Sequence, residues 1–218
     1  MKLFTIPFIQ KTFLALAMTL LPAIASAQAW PNKPIRLVVP FGTGGSNDIV
    51  ARLLSIKLGE SLGQPIIVEN RAGAGGTIGV DAVVKSDPDG YTILIGATST
   101  IAVNVGLYPK RNFDPTTSLT PITQIGSGPF LMAVPSGLPA KSVKEFINLA
   151  RSKPGQLNFG SSGKGSSLHL TVEMLKTLAK IDLVHVPYKS GGAAVADLAS
   201  SRVQLIFSDL PALQAFVK

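Results

Sequence analysis

The chain has 218 residues, a formal net charge of +8 and no cysteine. The missing cysteine excludes a disulfide framework, a thiol nucleophile, thiolate metal sites and a lipid-modified cysteine at a new amino terminus. The basic residues are scattered, with Lys110-Arg111 an isolated adjacent pair, and this argues against the aromatic-interleaved basic stripe of a nucleic-acid binder.

Lys2 and Lys11 accompany a mostly apolar stretch at 13–24 that ends in Ala25-Ser26-Ala27. That is the pattern of a cleaved secretory signal peptide over 1–27, leaving a chain that begins at Gln28 with a charge of +6. The apolar run is too short to span a bilayer and no longer one follows.

From residue 35 the hydrophobic pattern alternates regularly with breakers. A strand Ile35–Val39 is followed by the glycine loop VPFGTGGSND (39–48) and a helix over 49–62. A second strand at 65–69 precedes another glycine loop at 70–76 and a helix to residue 86. The turn at 87–90 leads into a buried strand at 91–97, and residues 119–134 read as an extended, strand-like crossover. The pattern then restarts: helix 141–151, strand 157–160, loop 163–167, helix 168–178, strand 182–186, loop 187–192, helix 193–199 and strand 203–207, with a helix beginning after it.

This order predicts α/β architecture with open sheets flanked by helices. Ligands in such sheets sit beyond the carboxyl ends of the strands, where both glycine loops fall. VPFGTGG at 39–45 is echoed by VPYKSGG at 186–192, and if the echo is structural the two loops face each other across a cleft.

Free N–H groups at a helix start, reinforced by the helix dipole, suit a carboxylate or phosphate. Glycine admits the ligand to the backbone, and Thr43, Ser46, Ser166 and Ser167 can add hydroxyls. Asp48 suits a ligand ammonium or hydroxyl, and equally a helix N-cap. Tyr188 and Phe41 occupy equivalent places before the two loops, as cleft walls or as core aromatics.

Sharper motifs fail. Asn47 stands where a dinucleotide fingerprint needs its third glycine, and Gly165 follows Lys164 where a phosphate loop needs a hydroxyl residue. Ser161-Ser162-Gly163-Lys164 has the form of a penicillin-binding S-x-x-K, with Lys189-Ser190-Gly191 close behind, which keeps a secreted serine acyl-enzyme using Ser161 and Lys164 as an alternative. His169 and His185 lack an acidic partner at a familiar spacing, so neither a metal site nor a Ser-His-Asp triad is expected.

Four separated motifs resemble the Bug-type substrate-binding receptors of tripartite tricarboxylate transporters. These are Trp30-Pro31 with 35–52, then 68–76, then Asp87-Pro88-Asp89-Gly90-Tyr91-Thr92, and Val186-Pro187-Tyr188-Lys189. The resemblance implies a periplasmic binding protein of two α/β domains, type II-like, that close on a small carboxylate and deliver it to a membrane transporter. A role as ligand sensor for a membrane kinase is the other receptor reading.

The resemblance places a first domain over 28–120, a hinge strand over 121–134 and a second domain over 135–218. It also implies that the carboxyl-terminal part completing the first domain is missing. Carried over by motif, the ligand-binding residues are Phe41, Thr43, Gly44, Gly45, Ser46 and Asp48 from the first loop and Thr98 and Ser99 from the cleft floor. Gly163, Gly165, Ser166, Ser167, His169, Tyr188 and Lys189 come from the second domain. No catalytic residue, cofactor, metal or nucleic acid is expected, and the protein is expected to be a monomer. Gly42-Thr43 and Ser190 depart from the family pattern, so ligand size is not carried over.

Overall fold

The structure is a computed structural model that describes residues 30–109 and 113–216. The expected signal peptide (1–27) and the Lys110-Arg111 pair lie outside the described residues.

Two sheets form. In the first, β1 (Ile35–Val39) lies between β2 (Ile66–Asn70) and β3 (Thr92–Leu94), all parallel. Parallel strands need covered faces, and β1 meets that need: Leu37 and Val39 pack with Ala51 of helix α1 (Ser46–Leu62), while Val38 on the opposite face is fully buried. Helix α2 (Thr77–Val84) buries Val80 and Val83.

The second sheet has the order β4-β7-β5-β6, from Leu131–Ala133, Leu205–Ser208, Asn158–Ser161 and Val184–Pro187, with β4 antiparallel to β7 and the other pairs parallel. One core contains Phe146, Phe159, Val172 and Leu205 and lies under helices α5 (Val143–Ser152) and α6 (Ser167–Ala179). A second, with Val195, Leu198, Ile206 and Leu213, lies under α7 (Gly191–Ala199) and α8 (Leu210–Leu213). Helices on both faces of a mostly parallel sheet are the doubly wound solution anticipated from the alternating pattern.

Three helix starts in the second half, those of α5, α6 and α7, are side-chain capped. Ser142, Ser166 and Ser190 each accept the backbone N–H three residues on, at 3.2 or 3.3 Å. Helix α1 has Gly45 at the same position and no side-chain cap.

Two departures from the sequence reading stand out. The crossover forms a strand only at Leu131–Ala133, and residues 120–130 are exposed, because no neighbouring strand runs beside them to form a ladder. The chain after β3 also winds into a wide helical turn, Ser99–Val103, continuing as helix α3 (Asn104–Leu107), where no helix was expected, and a short helix α4 (Pro115–Ser118) follows.

Candidate functional site

The loops at the carboxyl ends of the strands meet. The backbone N–H of Gly42 donates to the carbonyl of Lys189 at 2.8 Å, which joins the two echoed loops directly. Contact is close enough to need glycine: a Cβ on Gly192 would lie 2.3 Å from the Gly44 carbonyl oxygen, and one on Gly75 would lie 2.7 Å from that of Lys164. Ser46 Oγ donates to Asp209, adding a side-chain tie between α1 and the loop after β7.

Beside this seam lies a cleft of about 450 Å³. Gly73, Ala74, Gly75 and Tyr108 line it from one side, and Ser162, Gly163, Lys164, Pro187, Tyr188 and Lys189 from the other. Tyr108 Oη donates to the Lys164 carbonyl at 3.2 Å across it. The lining contains two lysines and no carboxylate, and among the described residues neither ammonium meets a carboxylate within ion-pair distance.

Three of the residues expected from sequence, Gly163, Tyr188 and Lys189, line the cleft. The Tyr188 ring forms a wall while its hydroxyl turns away and donates to Asp197 at 2.7 Å. Burial, then the Asp197 carboxylate, push this phenol up to about 12.

The others stand behind or beside it. Phe41 is buried and its ring lies under Gly76, whose Cβ would approach it to 3.3 Å. Thr43 and Gly44 are exposed at the tip of the first loop, and Gly45 is buried against the start of α7. Thr98 is exposed, Ser99 is buried, and Ser167 is half-buried as the first residue of α6. Ser166 is the α6 cap, and Gly165 packs against the Tyr108 hydroxyl.

Asp48 is only 3% exposed and its carboxylate is fully engaged. It accepts the Gly44 N–H at 3.0 Å, Arg52 Nε at 3.1 Å and Asn70 Nδ2 at 2.9 Å. Burial raises its pKa, but the Arg52, Gly44 and Asn70 hydrogen bonds outweigh this and hold the carboxyl below its usual value. Asn70 Nδ2 also donates to the Phe41 carbonyl at 3.1 Å, so this network fixes the first loop from within.

The two histidines, 16 positions apart in sequence, are in contact, their rings tilted by 41°. Their ring centroids are 4.2 Å apart, and His185 lies on Phe159 at 4.8 Å. His185 Nε2 is 2.7 Å from Ser161 Oγ, and His169 Nδ1 accepts the Gly165 N–H at 3.4 Å. Burial pushes His185 down to about 4, with His169 adding to the effect; burial also lowers His169, against the pull of Glu173.

Sequence reasoning had placed the second glycine loop at a strand end but left Gly73, Ala74 and Gly75 out of the site. Ser162, Lys164 and Pro187 flank residues that were chosen. Tyr108 carried no signal, since the helix that presents it has no strong periodicity. Among the described residues no helix is long and apolar enough to cross a membrane, and no cluster of three His, Asp or Glu side chains is placed to hold a metal ion.

Residues 50–218 match the family described as tripartite tricarboxylate transporter family receptor. Protein BugT of Bordetella pertussis is 38% identical over 199 residues, which is 90% of this chain and 60% of BugT. The chain thus spans about three fifths of that relative's length. A solved R. palustris protein with adipate is 39% identical with a TM-score of 0.82, over 86% of this chain and 62% of the other. MatC from Rhodopseudomonas palustris with bound malate is 33% identical with a TM-score of 0.80, over 85% and 64%. The fold is that of these α/β periplasmic binding proteins.

Proposed function

The chain belongs to the tripartite tricarboxylate transporter receptor family, and from that premise we propose that it captures a small carboxylate in the periplasm and delivers it to a membrane transporter of the tripartite tricarboxylate type. The observation that carries this reading is the cleft lining: two lysines without acidic partners, three glycines and no carboxylate. Two like charges held together favour an anion that neutralises both, and glycine loops leave backbone N–H groups open to its oxygens. The adipate and malate held by two similar proteins are anions of this kind.

In this reading the sheets belong to two lobes joined through 121–134, and the leader 1–27 exports the chain. Gly163, Tyr188 and Lys189 contact the ligand together with Ser162, Lys164 and Tyr108. The first loop, from Phe41 to Asp48, supports the seam, and Asp48 acts as a positioning residue. The receptor acts without catalysis. The full enclosure of Ser161, which keeps its hydroxyl out of reach of a substrate carbonyl, supports this over an acyl-enzyme using Ser161 and Lys164.

The test is thermal unfolding with a panel of di- and tricarboxylates, acidic amino acids and aromatic acids. A ligand at a hundred times its dissociation constant adds about 2.7 kcal/mol and raises the midpoint. Lys164→Gln and Lys189→Gln are expected to diminish that shift without lowering the unliganded midpoint. A cooperative transition that no acid moves would count against the receptor reading.

A further inference from the structure

The cleft-facing residues Ser162, Gly163 and Lys164 form the loop between β5 and α6, and each end of this loop is held by a histidine. At one end Ser161 Oγ lies 2.7 Å from His185 Nε2 and 3.1 Å from the Gly163 N–H. At the other the Gly165 N–H points at His169 Nδ1. Gly163 and Gly165 both have left-handed backbones, with φ of 112° and 83°, so the loop path depends on what pins it.

The hydrogen bonds assign protonation states. His169 Nδ1 accepts, so it carries no proton; the ring is neutral with its proton on Nε2, which faces Glu173 Oε1 at 3.7 Å. A neutral His185 with Nε2 unprotonated takes the single Ser161 hydroxyl proton, leaving Oγ to accept the Gly163 N–H.

We propose that His169 is a positioning residue of the ligand cleft, holding the loop at Gly165 as a neutral imidazole and releasing it there when it is protonated, while His185 holds the Ser161 end in either protonation state. The proposal rests on the receptor reading for what the cleft binds. Protonating His169 places an N–H against the Gly165 N–H, which turns an attraction into a repulsion. Protonating His185 reverses its bond to Ser161 and sends the hydroxyl proton to the Gly163 carbonyl, 3.2 Å away, while Oγ still accepts the Gly163 N–H, so this end of the loop stays held.

The surroundings resist both events. The ring centroids are 4.2 Å apart, Lys164 on the loop and Lys176 on α6 oppose a further positive charge, and among the described residues Glu173 on α6 favours one. Two imidazolium rings this close would repel strongly in a half-buried site, so the first protonation disfavours the second. The loop is therefore held at both ends at neutral pH and is released at Gly165 on the acid side, which loosens the cleft wall formed by Ser162, Gly163 and Lys164.

Two conservative changes keep the acceptors while removing the titration: His169→Asn supplies an oxygen near Nδ1, and His185→Gln supplies one near Nε2. The experiment follows amide hydrogen exchange at Gly163 and Gly165 by NMR from about pH 7 to about pH 4, corrected for intrinsic rates, alongside calorimetric titration of adipate and malate. In the unaltered protein protection of the Gly165 amide is expected to fall about tenfold, the size of one lost hydrogen bond, while the Gly163 amide keeps its bond to Ser161 Oγ. The double variant is expected to keep Gly165 protection. Affinity for the two acids should fall more steeply with acidification in the unaltered protein than in the double variant, which carries the ligands' own titration.

Ser161→Ala, which leaves both rings in place, is expected to lower Gly163 protection already at neutral pH. Protection of the Gly165 amide that does not change with pH, or that falls equally in the double variant, would overturn the proposal. Failure of adipate, malate and every other acid of the panel to bind at neutral pH would instead count against the receptor reading, and the exchange measurements would still decide the role of the histidines.

Discussion

Gly42 and Lys189 share a 2.8 Å backbone hydrogen bond across the seam between the two sheets, and they occupy the same position in the two copies of the VP-aromatic-x-x-Gly-Gly echo. The echo therefore has a structural meaning: each copy ends a parallel strand and begins a helix, and the two copies face each other. Lys189 also lines the cleft, so whatever moves the seam moves a cleft wall.

Gly192→Ala tests this coupling. The backbone there is ordinary helix, and alanine in place of glycine favours a helix by about 0.5–1 kcal/mol. The new Cβ would nevertheless sit 2.3 Å from the Gly44 carbonyl oxygen, a backbone atom that cannot rotate away. The loops must part. The expected outcome is weaker carboxylate binding with an unfolding midpoint unchanged or raised; a lowered midpoint with full affinity would show that the seam is a folding contact and not a closing one.

Asp48→Asn separates a ligand contact from a scaffold. The carboxyl's pKa is lowered in the folded state, so the stability it confers is present above its unfolded value of about 4 and is lost as pH falls through the lower folded value. The variant removes the charge facing Arg52 and turns an amide toward the Gly44 or Asn70 donors. It should lose about 1–3 kcal/mol at neutral pH and show a shallower acid limb in unfolding measurements. Equal acid limbs in the two proteins would place the carboxylate's partners elsewhere.

Legibility in the sequence tracked the range of the forces involved. Strand β1 was readable because Leu37, Val38 and Val39 must all be buried between two faces, and the glycine loops were readable because breakers sit at strand ends. The crossover was misread because alternation in 119–134 signals the capacity to pair, while pairing needs a neighbour that only topology supplies. Asp48 and Ser166 were chosen for their polar atoms, and those atoms satisfy local backbone N–H groups. The His169–His185 contact joins a helix to a strand and leaves no periodic trace. Tyr108 reaches the cleft only because the turn at Ser99–Val103 carries the chain there.

Tyr188→Phe keeps the cleft wall and deletes the bond to Asp197. Because the folded phenol is pushed up to about 12, the folded state holds its proton where the unfolded chain begins to lose it, near pH 10. The unaltered protein should therefore lose stability as pH rises above about 10, by linkage. The variant is expected to bind carboxylates normally, to be less stable by about 1 kcal/mol at neutral pH, and to lack this contribution to the alkaline decline. Loss of binding in Tyr188→Phe would place the hydroxyl, and not the ring, at the ligand.

Limited digestion with thermolysin, which cuts before large apolar residues, should strike first within 121–130. Ile122 and Ile125 are 79% and 53% exposed there, and no strand partner holds the backbone. Exposure of apolar side chains alone does not predict cleavage: Leu53 and Ile56 are 63% and 59% exposed, yet they ride on the long helix α1, whose backbone bonds must open before a protease can bind an extended segment. Cleavage between 121 and 130 separates the two sheets into distinct fragments that mass spectrometry identifies. First cuts inside α1, or in the glycine loop at 42–45, would mean that the seam and not the crossover is the least protected part of the chain, and that the Gly42–Lys189 bond opens readily in solution.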